Sequence, residues 1–212
     1  MRILALCSLA AAAAALFGAG AATATTPATV RIVVRPVTVA GYPVAGYTVA
    51  QEPTGQVDCS YPDASPGAVN ANILECSPSA EYAIACWKSA TPARVLCLRN
   101  ARAHTLVKIP DTGRVARVSA PRSTSPLSLV LSDGDTCSIR DGGAWGWLHL
   151  HPSWVGEYSC VHDGIVWGPP TAPHGGVIET TSAWTVLTTP PSGIGPLITR
   201  HVSRAYFVGT HA

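Results

Sequence analysis

The chain has few charged side chains and none of the familiar catalytic motifs. Charged residues make up 12% of its 212 residues, about half of the roughly 25% found in a typical soluble domain. The net charge is only +2 and the basic residues are scattered, so nucleic acid is not an expected partner. The sequence contains no G-x-S-x-G, H-E-x-x-H or C-x-x-C motif and no phosphate-binding loop. We therefore expect no cofactor. The missing motifs favour a non-enzymatic protein, and a Ser-His-Asp triad, which has no fixed residue order, stays open as an alternative.

Helical periodicity is also absent after the first 24 residues. Short β-prone segments alternate with turns instead, as in antiparallel sandwiches and barrels. Asp133-Gly134 and His162-Asp163-Gly164 each separate two such segments, which predicts hairpins. The 19 glycines and 18 prolines favour long irregular loops. The predicted fold class is all-β, a small disulfide-stabilised antiparallel sandwich or barrel of short strands with long loops.

Residues 1–24 have the pattern of a secretory signal peptide. Arg2 precedes an uncharged run rich in Ala and Leu, and Ala22-Thr23-Ala24 is a small-residue cleavage site. The apolar run is also long enough for an uncleaved membrane anchor, which is the alternative. We expect cleavage, and no stable membrane insertion afterwards.

Residues 25–56 are rich in Thr, Val and Pro and contain no cysteine. Pro36 interrupts the β-prone stretch 29–39, and proline is tolerated mainly in edge strands. We interpret 25–56 as an extended stalk with at most one edge strand. Residues 57–212 then form the disulfide-stabilised β domain.

Six of the seven cysteines follow residue 58, whereas Cys7 lies in the signal peptide. An even number in an exported chain indicates disulfides, although six cysteines allow fifteen pairings. Segments 82–88 and 94–99 predict a hairpin with an apolar face that carries Ala85, Trp87, Leu96 and Leu98. Its other face carries Cys86 and Cys97, which we expect to pair. Nearness in sequence then suggests two further bridges, Cys59 to Cys76 and Cys137 to Cys160.

The segment from Asp133 to Cys160 concentrates the residues that could form a site. Its candidate binding residues are Trp145, Trp147, Trp154, His149, His151 and Arg140. A structural interpretation packs the tryptophans over a disulfide and pairs Arg140 with a carboxylate. A binding interpretation makes the segment a recognition platform. A metal interpretation uses the two histidines, which project to the same side of a strand, with His162, His174 or Glu157 as third ligand.

Four motifs together resemble a group of secreted proteins of actinobacteria, of the mycobacterial type. They are C-S-P-S-A-x5-C-W at 76–87, D-G-x-x-C-x-x-R-x-G-G-x-W-G at 133–146, G-x-Y-x-C at 156–160 and A-Y-F-V-G-T at 205–210. The resemblance covers most of the chain after Val57. It implies export to the cell envelope or the medium, and it implies no activity.

The sequence therefore favours an exported, non-enzymatic binding or interaction domain. Its partner would be an envelope component or another protein, which the sequence does not identify. The alternative is a secreted hydrolase assisted by a metal at His149 and His151. A cluster of close titratable groups in a cleft would favour the hydrolase, and an exposed aromatic patch without such a cluster would favour the binding domain.

Overall fold

The computed structural model describes residues 26–51, 55–79, 83–140, 148–162, 164–170, 175–179 and 182–212. Thirteen β-strands and no α-helix occur in these ranges, which confirms the all-β prediction. No helix in the described ranges is long and apolar enough to cross a bilayer. The signal peptide at 1–24 lies outside them and stays a prediction. The strands are β1 (Val30–Thr38), β2 (Thr48–Gln51), β3 (Asp58–Ala64), β4 (Leu74–Ser77), β5 (Cys86–Lys88), β6 (Arg94–Leu98), β7 (Thr105–Pro110), β8 (Ser128–Leu131), β9 (Thr136–Ile139), β10 (Val155–Cys160), β11 (Ile165–Gly168), β12 (Thr185–Thr189) and β13 (Ile198–His211).

The C-terminal half is a closed antiparallel barrel of the six strands β8–β13. Consecutive strands pair with one another, and β13 pairs back with β8. Closure depends on the length of β13, whose first residues pair with β12 while Val202–Tyr206 pair with β8. Because a closed barrel has no free edge among its own strands, its backbone groups satisfy one another. The predicted hairpins β8–β9 and β10–β11 are confirmed.

The N-terminal half is a six-stranded sheet in the order β2-β7-β6-β5-β4-β3. Strands β3 to β7 form an antiparallel meander, which curls until the start of β3 meets the end of β7. Val57 bridges Asp111 just beyond β7. The Val57 amide donates to the Pro110 carbonyl at 2.9 Å, and the Thr112 amide donates to the Val57 carbonyl at 2.9 Å.

The interpretation of residues 25–56 as an extended stalk is wrong where this segment forms strands β1 and β2. Strand β1 pairs in parallel with β13, and β2 pairs in parallel with β7, so the segment adds one strand to each half. Both are edge strands, as expected for a proline-containing segment. The β1–β13 register shifts between Val34 and Val37, around Pro36, so a bulge lets the strand continue past the residue that lacks an N–H. Local sequence patterns do not show such pairings, because the partners are far along the chain.

The core has three apolar clusters, and strand alternation assigns residues of the N-terminal sheet to two of them. Leu96 and Leu98, with Ala85 and Trp87, face the packing layer between the two halves, where they meet Val208 of β13. This confirms the predicted apolar face. The opposite face fills the curled sheet, and it includes the two disulfides of that sheet. The third cluster fills the barrel around Tyr158 and Phe207.

All three predicted disulfides are confirmed. Cys59 bonds Cys76, Cys86 bonds Cys97, and Cys137 bonds Cys160. The last two bridges join residues that lie directly opposite in neighbouring strands. Each cross-link closes a short loop, so each contributes about 3 kcal/mol by restricting the unfolded chain.

Candidate functional site

Within the Asp133–Cys160 segment, the described residues 148–154 form a turn that ends in a stacked aromatic pair. Leu148 is fully buried and anchors the turn, and the His151 amide donates to its carbonyl at 3.1 Å. The His151 ring stacks on Trp154, with ring centroids 4.4 Å apart and planes 19° apart. His149 and His151 are exposed, whereas Trp154 is half-buried. Trp145 and Trp147 lie outside the described residues, so their role as candidate binding residues stays a prediction.

Arg140 lies at the end of β9, beside the half-buried Glu157 of β10. The Arg140 amide donates to the Glu157 carbonyl at 2.7 Å. Burial raises the pKa of the Glu157 carboxyl, and the nearby Arg140 charge opposes the increase. The two residues link neighbouring strands, which agrees with the structural interpretation of Arg140.

The histidine pair does not meet a third ligand in the described part of the chain. The one group there with metal-site spacing is Asp135, Cys137 and Cys160. Its two cysteines form a disulfide and therefore offer no thiolate to a metal. Nothing in the described ranges thus supports the metal-assisted hydrolase.

A charged network occupies one end of the barrel. Arg200 of β13 bonds Asp133 through Nε and Nη2, and its Nη1 donates to Asp135 Oδ2 at 3.2 Å. Asp135 is 4% exposed, and its Oδ1 also accepts from the Thr136 amide at 2.7 Å and the His162 amide at 3.1 Å. Burial raises the pKa of Asp135, but these hydrogen bonds outweigh burial and hold it below its ordinary value.

The same network brings an imidazole close to a buried carboxylate, as in the base half of a catalytic triad. His162 Nδ1 lies 3.3 Å from Asp135 Oδ1. A triad also needs a nucleophile on the other ring nitrogen, and no hydroxyl or thiol of the described residues bonds there. The network therefore ties β13 to the β8–β9 and β10–β11 turns, and we assign it a structural role.

A large open groove lies on the N-terminal sheet, where β3 meets the segment after β7. It has a volume of about 1080 Å³. We call it the Tyr61 groove. Its walls are β3, the turn between β5 and β6, and the segment after β7. They contribute Ser60, Tyr61, Lys88, Ser89, Ala90, Pro92, Ala93, Asp111, Gly113, Arg114, Val115, Ala116 and Arg117.

Tyr61 owes its position to an irregularity in β3. The β3–β4 register shifts between Asp58 and Asp63, because these residues are five positions apart while their partners in β4, Ser77 and Glu75, are two positions apart. Regular alternation would place Tyr61 on the same face as the buried Cys59. The irregularity turns the side chain outward instead, and 98% of Tyr61 is exposed. Bulges commonly redirect side chains in this way beside binding sites.

Asp111 holds the groove together from below. Its buried Oδ1 accepts from the Cys59 amide at 3.0 Å, and from the Gly113 amide at 3.4 Å. Ser60 Oγ accepts from the Arg114 amide at 3.1 Å, and a hydrogen bond with Ser60 lowers the pKa of the Asp58 carboxyl. These bonds fix the segment after β7 against β3, so the groove walls are set before any ligand arrives.

The charged side chains in the groove are mostly cationic. Lys88, Arg114 and Arg117 are all exposed, and none of them forms a salt bridge within the described ranges. The one carboxylate in the lining, Asp111, is buried and bonded to backbone amides. The exposed carboxylate of Asp58 lies beside the lining residue Ser60. The groove therefore presents three exposed cations, one neighbouring carboxylate and one aromatic side chain.

Sequence reasoning did not identify this groove. Its residues come from three separate parts of the chain, and their juxtaposition depends on the curl of the sheet. No family model matches the chain, and no curated protein or solved structure is significantly similar to it. The function of the protein is therefore inferred from the Tyr61 groove.

Proposed function

We propose that the protein is an exported, non-enzymatic binding protein of the cell envelope or the extracellular space. The observation that carries the proposal is the Tyr61 groove, a preformed recess with a fully exposed tyrosine and three exposed cations free of salt bridges in the described chain. Exposed aromatic and arginine side chains dominate the energetics of binding sites. Because these side chains lie on a rigid, disulfide-linked scaffold, less conformational entropy is lost when a ligand binds.

Export is supported by the three disulfides, which form and persist in oxidising compartments. The predicted signal peptide at 1–24 and the resemblance to secreted actinobacterial proteins agree with it. The test is N-terminal sequencing of the protein recovered from the medium or envelope of an expressing bacterium. We expect a mature chain that begins at or near Thr25. An intact Met1 and retention in the cytoplasmic membrane would contradict export with cleavage.

Binding is tested by sedimentation of the purified mature protein with isolated envelope material. We expect saturable binding that Tyr61→Ala weakens by about tenfold while the melting temperature stays unchanged. The matched variant Trp154→Ala examines the competing surface, the His151–Trp154 stack. Loss of binding in Trp154→Ala alone would transfer the function to the Asp133–Cys160 segment. No saturable binding of any variant would refute the binding function.

The metal-assisted hydrolase is tested on the same untagged protein by elemental analysis. We expect no stoichiometric metal, since His149 and His151 meet no third ligand in the described chain. One zinc per chain that disappears in His149→Ala would overturn the non-enzymatic proposal.

A further inference from the structure

We propose that the Tyr61 groove binds an anionic polysaccharide, a chain of sugar rings that carries carboxylate or phosphate groups. The inference rests on the proposed binding function and specifies its ligand. It depends on the charges of the groove, on the exposed ring of Tyr61 and on the backbone pattern of the walls.

The charges indicate an anion with groups at several positions. Lys88 lies on the β5 side of the groove, whereas Arg114 and Arg117 lie on the opposite wall, after β7. The arginines are three residues apart, in a segment without regular secondary structure. Arg guanidinium groups bind carboxylate and phosphate in a bidentate manner. A polymer with repeated anionic groups can contact both walls, which a single small anion cannot.

Tyr61 provides an exposed ring face in the lining of the same groove. Its side chain is 98% exposed, so it packs against nothing in the protein. An exposed aromatic face can pack on the apolar C–H face of a sugar ring while the hydroxyl stays solvated. The remaining apolar lining consists of small side chains, namely Ala90, Pro92, Ala93, Val115 and Ala116. It offers no deep pocket for a large hydrophobic side chain.

The backbone of the walls does not favour an added peptide strand. Strand addition needs a row of free N–H and C=O groups along an edge. The Ala116 amide already donates to the Cys59 carbonyl at 2.9 Å, and the Arg114 amide donates to Ser60 Oγ. Within β3 itself, Pro62 has no N–H, and the strand is irregular there. Side-chain contacts to a polyanion fit this surface better than main-chain contacts to an acidic peptide.

The experiment measures binding of the mature protein to three probes by isothermal titration calorimetry. Polygalacturonate has sugar rings and carboxylates, dextran has rings without charge, and poly-glutamate has carboxylates without rings. Binding to polygalacturonate should weaken as salt is added. Tyr61→Ala should reduce that affinity about tenfold, and Arg114→Gln should also reduce it. Arg204→Gln, an exposed arginine on β13 outside the groove, is the matched control and should leave it unchanged.

The outcomes separate this inference from the proposed function. Tighter binding of poly-glutamate than of polygalacturonate, with no effect of Tyr61→Ala, would overturn the polysaccharide assignment in favour of an acidic polypeptide. No binding of any probe, together with Tyr61-dependent binding to envelope material, would refute the polyanion and keep the binding function. Loss of both would refute the inference and the proposed function together. Thermal melts of each variant exclude unfolding as the cause.

Discussion

Replacing Asp135 by Asn is the sharpest test of how the barrel end is held together. The substitution keeps the shape of the side chain and removes its charge. One amide oxygen can still accept from the Thr136 and His162 amides, as Asp135 Oδ1 does at 2.7 and 3.1 Å. The amide nitrogen, however, would face Arg200 Nη1, which now donates to Asp135 Oδ2 at 3.2 Å. Two donors would then face each other at a buried position.

The expected loss of unfolding free energy depends on the burial of Asp135 and on the bonds that Arg200 keeps with Asp133. A hydrogen bond to a charged group contributes about 1.5–3 kcal/mol, and breaking a fully buried ion pair costs about 3–5 kcal/mol. Arg200 keeps its bonds to Asp133 in the variant, so the lower range applies. We expect a loss of about 2–3 kcal/mol in the free energy of unfolding. For a domain of this size, that lowers the melting temperature by roughly 5–10 °C.

Asp133→Asn is the matched control, because Asp133 also bonds Arg200 but its side chain is 53% exposed. Exposed ion pairs contribute about 0–1 kcal/mol, so this variant should lose less than about 1 kcal/mol. Urea unfolding at pH 7 with the disulfides intact measures both. Equal losses in the two variants would refute the claim that burial of Asp135 sets the strength of the network.

The pH dependence of the unfolding free energy provides a second test of the Asp135 network. The folded-state pKa of Asp135 is lowered, so its ionisation stabilises the fold above the unfolded-state pKa of about 3.9. That stabilisation is lost as the pH falls through the folded-state pKa. The stability gap between the wild type and Asp135→Asn should therefore narrow below about pH 4. A gap that stayed constant down to pH 2 would show that the carboxylate charge is not what stabilises the network.

Three further substitutions examine the fold. Gly164→Ala should cost more than about 3 kcal/mol, because its φ is +89° and a Cβ would lie 1.8 Å from the Thr189 carbonyl oxygen. Gly134→Ala, with φ +90° and nothing within 4 Å of the new Cβ, should cost only the conformational penalty of about 1–2 kcal/mol. Urea unfolding that ranked the two equally would contradict the clash. Leu96→Ala, at a site that is 1% exposed, should cost about 2–5 kcal/mol in thermal melts, and a loss below 1 kcal/mol would mean that the layer between the halves is loosely packed.

The parts of the fold that could be predicted are those in which partners are close in sequence. The Cys86–Cys97 hairpin shows its two faces in its alternation, and turn signals identify β8–β9 and β10–β11. The parallel pairings of β1 and β2 left no such local signal, and Pro36 pointed away from a strand. They depend on edges that exist only once the two halves have formed.

The candidate site was less predictable than the fold. The tryptophans and histidines of the Asp133–Cys160 segment predict a site there, whereas its described residues 148–154 form one stacked pair, His151 and Trp154. The Tyr61 groove has an ordinary composition, and Tyr61 is exposed only because the β3 register shifts. The net charge of the chain did not indicate the groove either. The chain as a whole is nearly neutral, and the excess of cations is local to the groove.

The parallel pairing of β1 with β13 makes an early strand depend on a late one during folding. Thr29, just before β1, donates through Oγ1 to the Val202 carbonyl, 173 residues further along. Contacts of such separation are formed slowly, since the entropy of closing a long loop must be overcome first. Because synthesis proceeds from the N-terminus, β1 therefore stays unpaired until β13 has been made. Removing the final residues 204–212 should leave β1 as an exposed, valine-rich edge, and such an edge readily pairs with other chains and aggregates.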